Sequence, residues 1–158
     1  MATALFQGSF DPFTTGHADI VDRALTFFDR IVVAVMFNVR KQGLLTPEER
    51  KELIERVYRD EPRVSVVVSD KLTIELASQL NVDCLLRSVR NVQDYEYEQV
   101  MAAANRELGG PDTLLLFSRP ELAHVSSSLV RELHHFGRDV TPYLPAGITL
   151  PARLLPTP

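Results

Sequence analysis

Three groups of residues in this chain could handle phosphate. The first is the stretch Gly8-Ser9-Phe10-Asp11-Pro12-Phe13-Thr14-Thr15-Gly16-His17, which joins the apolar run Ala4-Leu5-Phe6 to a segment where Ile20, Val21, Ala24, Leu25 and Phe28 recur at helical spacing. A strand-to-helix crossover of this kind leaves the first helical N–H groups without partners inside the helix, and the dipole favours an anion there. His17 falls in that first turn, with a ring that can donate one more hydrogen bond. The second group is the cations Lys41, Arg87 and Arg90, and the third is Ser126-Ser127-Ser128 at the opening of another helical segment. Each also has a plainer reading, as a turn, a solvated surface charge and a helix cap.

Together such groups suit phosphoryl-type transfer. An attacking phosphate has a second pKa of about 6 and is mostly dianionic at neutral pH, so no general base is required. Catalysis then reduces to aligning two anions and stabilising charge on the pentavalent phosphorus. Other chemistries lack their marks: there is no G-x-G-x-x-G after the first strand, no G-x-x-x-x-G-K-[ST] and no G-x-S-x-G. The four histidines offer no metal spacing; His134 and His135 read as cations near a helix C-terminus, and His124 as either a nucleotide contact or a solvated side chain.

The elements that must position these residues alternate in type. Arg30–Met36, Arg63–Ser69, Val82–Leu86 and Thr113–Phe117 read as further buried strands, the fourth strand ending directly in Arg87-Ser88-Val89-Arg90. Helices are expected from Pro47 toward Arg59, with a capping box of Thr46 and Glu49, and over Lys71–Leu80, Asp94–Leu108 and Leu129–Phe136. Gly109-Gly110 would end the third of these. The pattern predicts an α/β fold with a doubly wound, mostly parallel five-stranded sheet in the order 3-2-1-4-5. Ligands bind such sheets at the switch point, which here brings Gly8-Ser9 and Arg87–Arg90 to one crevice.

The 158 residues read as one domain with a proline-rich tail from about residue 141, where any helix must be short. A net charge of −4 argues against nucleic acid bound through a general basic face. A single cysteine, Cys84, allows no intrachain disulfide and reads as packing in a reducing compartment; with no membrane-spanning run or leader pattern, the expected location is cytoplasmic.

The first stretch resembles the (H/T)xGH signature of the nucleotidylyltransferase superfamily. Three further blocks narrow the resemblance to the bacterial phosphopantetheine adenylyltransferases: Lys41 with Leu45–Arg50, Leu86–Arg90 with Asp94–Glu98, and Val125–Arg131. The resemblance implies a Rossmann-like nucleotidylyltransferase fold, transfer of the adenylyl group of ATP to 4′-phosphopantetheine, Mg²⁺ held mainly by the ATP phosphates, and a homohexamer. It makes His17, Lys41 and Arg90 catalytic. It implies that Ser9 contacts both substrates, that Lys41, Arg87 and Thr73 hold phosphopantetheine, and that Phe10, Ser88, Val89, Arg90, Glu98 and the loop Leu122, Ala123, His124, Val125, Ser126, Ser127 and Ser128 bind ATP. Ser9 stands where many members have Thr, Ser88 where Gly is usual, and Leu122-Ala123-His124 lacks a common aromatic. The alternatives are a nicotinamide-nucleotide adenylyltransferase or cytidylyltransferase of the superfamily, and a non-catalytic nucleotide or coenzyme A sensor.

Overall fold

A computed structural model describes residues 1–154; Pro156 and Pro158 of the expected proline-rich tail lie outside the described residues. Five parallel strands, β1 (Thr3–Gly8), β2 (Arg30–Met36), β3 (Val64–Ser69), β4 (Cys84–Val89) and β5 (Thr113–Phe117), form one sheet in the order β3-β2-β1-β4-β5. Between them run α1 (Thr15–Ala24), α2 (Pro47–Val57), α3 (Thr73–Leu80) and α4 (Val92–Glu107), and α5 (Ser127–His135) follows β5. The order is the one expected from the alternation of elements.

Strand side chains alternate between two apolar layers, as the period of two requires. Phe6, Ile31, Val33, Val35 and Leu86 meet α1 and α2 through Ile20, Val21 and Ile54. Leu5, Val32, Ala34 and Leu85 meet α3 through Leu76 and Ala77 on the other face. A smaller cluster of Leu45, Leu53, Val130, Leu144, Ile148 and Leu150 seats the C-terminal segment against α2 and α5. That segment forms only the short 3₁₀ turns Thr141–Tyr143 and Ala152–Leu154, in keeping with its prolines. Among the described residues, no helix is long and apolar enough to cross a membrane.

Most boundaries shift by one to three residues, and two of the shifts bear on the site. The helix α1 stops at Ala24, because the Thr26 hydroxyl bonds the Arg23 carbonyl at 2.7 Å and offers the chain a local alternative to another helical turn. Leu25 and Phe28 still pack on the core from the turn that follows. The strand β4 continues through Arg87 and Ser88 to Val89, paired with Leu115–Phe117. Its ladder with β1 ends at Phe6 and Leu86, and beyond that point the two strands part. The polar residues are tolerated because one flank of β4 there faces a crevice instead of a second strand.

Candidate active site

The crevice opens where β1 and β4 separate. Arg87 spans the gap, with Nη1 donating to the Gln7 carbonyl at 2.5 Å and Nε and Nη2 donating to the Glu98 carboxylate at 2.9 and 2.6 Å. Glu98, on α4, is only 5% exposed. Its carboxylate holds Arg87, and Glu98 also borders the cavity around His17. Arg90 at the end of the strand is held by Asp94, whose Oδ2 accepts from its Nε at 3.2 Å and its backbone N–H at 3.1 Å.

His17 faces these arginines from the first turn of α1. The Thr14 N–H donates to His17 Nδ1 at 3.0 Å, and the His17 N–H reaches the Thr14 hydroxyl at 3.4 Å, closing a reciprocal cap on the helix. Phe6, Phe10 and Phe13 surround the ring, with the Phe10 centroid 5.0 Å away and edge-on. Burial first, then the charges of Arg90 and Arg87, push its pKa down to about 3. His17 is nonetheless only half-buried by exposed area and borders the cavity. The imidazole is therefore neutral at pH 7, and because Nδ1 accepts, its proton sits on Nε2. A neutral donor with a fixed tautomer suits an anion site.

Around His17 lies a cavity of about 330 Å³, bordered by Ser9, Arg87, Ser88, Arg90, Val125, Ser126, Ser127 and Ser128. Each of the last three serines has a structural partner: Ser126 Oγ caps α5 by accepting from the Leu129 N–H at 3.1 Å, Ser127 Oγ donates to the Pro12 carbonyl at 2.7 Å, and Ser128 Oγ accepts from Arg131 at 3.1 Å. The backbone start of α5 is thereby held beside the start of α1, two helix N-termini on one cavity. Lys41 borders an adjoining cavity of about 910 Å³, and among the described residues only Ser9 and Arg131 border both.

Not every expected residue reaches these spaces. Phe10 is 2% exposed and backs the His17 ring from the core; its φ of 47° turns the chain sharply after Ser9. Val89 is buried within β4. His124 meets Tyr143 edge-on at a 6.2 Å centroid distance, and it, Leu122, Ala123 and Thr73 border neither cavity. Conversely, Arg131 stands where the cavities join, its Nη1 donating to the Asp11 carbonyl at 2.7 Å. In the sequence it closes the Val125–Arg131 block of the resemblance, one turn after the serine cap, but is given no role there. Asp94 could have been found from its spacing of four to Arg90 at a helix start.

The sequence profile of the cytidylyltransferase-like family matches residues 5–133. The phosphopantetheine adenylyltransferase of Phocaeicola vulgatus is 47% identical over 150 residues, 95% of this chain and 99% of that protein. That of Symbiobacterium thermophilum is 46% identical over 92% of this chain and 90% of its own length. Among solved structures, a protein of Vibrio parahaemolyticus assigned as a nicotinate-nucleotide adenylyltransferase superposes with a TM-score of 0.67 at 16% identity, over 91% of this chain and 87% of that one. At that identity the likeness speaks for the fold alone.

Proposed function

The chain belongs to the phosphopantetheine adenylyltransferases of the cytidylyltransferase-like family, and from that premise we propose that it transfers the adenylyl group of ATP to 4′-phosphopantetheine in coenzyme A synthesis. The products are dephospho-coenzyme A and pyrophosphate. The observation that carries the reading is the neutral His17 ring, its proton fixed on Nε2, on a cavity shared by Arg87, Arg90 and two helix N-termini.

In the proposed reaction an oxygen of the acceptor phosphate forms a bond to the α-phosphorus of ATP. The bond from that phosphorus to the bridging oxygen breaks, and pyrophosphate departs with the electron pair. His17 Nε2–H donates to an α-phosphate oxygen as charge accumulates there. Arg90 and the start of α5 hold the nucleotide phosphates. Lys41, with Arg87 and Ser9, holds the acceptor phosphate, and Arg131 lies at the join of the two cavities where the phosphates would meet. Thr73 and the residues Leu122 to His124 stand back from these cavities, so this reading gives them no phosphate contact.

Among the described residues, no three His, Cys, Asp or Glu side chains cluster to hold a metal, and Asp94 and Glu98 are already engaged by arginines. We propose a Mg²⁺ ion that arrives on the ATP phosphates and keeps its waters. When bound it would offset charge on the leaving pyrophosphate.

The assembly is proposed to be a homohexamer, and the location cytoplasmic. Exposed apolar residues on α4 and at the β5 edge support association: Val92, Tyr97, Val100 and Leu108 with Leu114 and Phe117. Pyrophosphate release from ATP tests the function. It is expected with 4′-phosphopantetheine and absent with nicotinamide mononucleotide; the reverse preference, or no turnover at all, would sink the reading.

A further inference from the structure

Asp11 and Arg50 are charged, adjacent and almost without exposure, at 5% and 6%. Neither takes part in the reaction described above. Asp11 Oδ2 and Oδ1 accept from the backbone N–H groups of Leu44 and Leu45, both at 2.8 Å. Arg50, in the first turns of α2, lies with Nε 3.3 Å from Oδ1. It donates Nε and Nη2 to the Leu45 carbonyl at 3.0 and 2.7 Å, and Nη1 to the Ser9 carbonyl at 3.2 Å. The ion pair thus fastens the Ser9–Asp11 turn to the end of the loop that carries Lys41.

Stability is a weak reason to bury such a pair, because desolvation takes back much of the Coulombic gain. Fixing one arrangement is a better reason. Gly43 shows how close that arrangement is: a Cβ there would stand 2.0 Å from Arg50 Nη2 and 2.5 Å from Asp11 Oδ2. The loop backbone lies directly on the ion pair, and no larger residue fits without moving one or the other. Ser9 on one arm of the clamp and Lys41 on the other both border the larger cavity. A shift in the clamp therefore changes the spacing between them.

The geometry points to Asp11, Arg50 and Gly43 as positioning residues that set where Lys41 stands against Ser9, and so tune affinity for the acceptor phosphate without touching it. This rests on the reading that Lys41 serves the acceptor. Gly43→Ala, Lys41→Ala and the two combined separate the possibilities, with steady-state kinetics in each substrate and calorimetry with ATP alone. Gly43→Ala raises the acceptor KM roughly tenfold or more while ATP affinity stays within about twofold. The combined variant is no worse than Lys41→Ala, since a displaced lysine and an absent one are equivalent; a merely structural role would instead add its loss to that of Lys41→Ala. If Gly43→Ala does not fold, Asp11→Asn, which keeps the side-chain volume, carries the same expectations. An unchanged acceptor KM in these clamp variants, with Lys41→Ala impaired, overturns the clamp and leaves the proposed function standing. Additive losses, or equal losses for both substrates, overturn it as well. An unimpaired Lys41→Ala overturns the assignment of Lys41 beneath it.

Discussion

A histidine beside phosphate can contribute as a cation or as a neutral donor, and the backbone decides which. The Thr14 N–H occupies Nδ1, so the free protein keeps the Nε2–H tautomer without drawing on any carboxylate. A donor placed for charge that develops at phosphorus acts chiefly in the transition state. His17→Ala is therefore expected to lower kcat by about 10²–10³-fold with ATP affinity little changed, as steady-state kinetics with a direct binding measurement would show. Near-normal turnover would remove His17 from the chemistry.

The same ring makes a prediction about pH. Its pKa falls from 6.5 unfolded to about 3 folded, so between those values the unfolded chain binds the proton and the native one does not. Stability then rises with pH across this window, is fully present above 6.5, and is lost as pH falls. Denaturant melts of the ligand-free protein from pH 7 to pH 4 should decline less steeply for His17→Gln than for the parent chain. Equal slopes would mean that the ring is solvated.

At the scale of elements, the informative case is the junction of β4 and α4. Apolar alternation and capping residues located every strand and helix, and connection order located the switch point. What the pattern hid was the last half of β4, because Arg87 and Ser88 look like loop residues unless it is known that β1 has already departed on one side. The buried Glu98 was hidden for a related reason. Glu98 stands two residues from Glu96 and four from Asp94 on a mostly exposed helix, so spacing does not single it out; the resemblance gives it to the nucleotide, and only tertiary contact shows it holding Arg87. Local spacing also could not join Asp11 to Arg50, which are far apart in sequence and meet only when β1 and α2 pack.

Glu98 gives this junction a test. Arg87 retains 23% side-chain exposure, so losing its charged partner costs less than breaking a fully buried pair, on the order of 2 kcal/mol. Glu98→Gln should lower stability by that amount and weaken turnover through a looser Arg87. Its ATP affinity should fall no further than that of Arg87→Ala. A variant that lost ATP binding while Arg87→Ala kept it would make Glu98 itself a nucleotide contact.

For the whole molecule, the uneven cover of the sheet matters most. β3 and β5 are the two edges of the sheet; β3 packs against α2, whereas β5 leaves Phe117 at 66% exposure, and α4 leaves Val92 at 70% and Val100 at 67% exposed. Isolated apolar surface residues need no explanation, but a run of them along one helix and the neighbouring edge is a surface suited to burial. This helix also carries Glu98, so covering its outer face would brace the cation cluster from behind. Val100→Asp places a charge in the middle of that face and leaves both cavities untouched. Sedimentation should show the parent chain as a hexamer and the variant as smaller species, whose melting temperature no longer rises with protein concentration. Turnover should persist in those species, because His17, Lys41, Arg87, Arg90 and both helix starts given a part in the proposed reaction lie on a single chain. An unchanged mass would assign the contact to another surface, and complete loss of activity in a folded monomer would mean that a neighbouring copy completes the site.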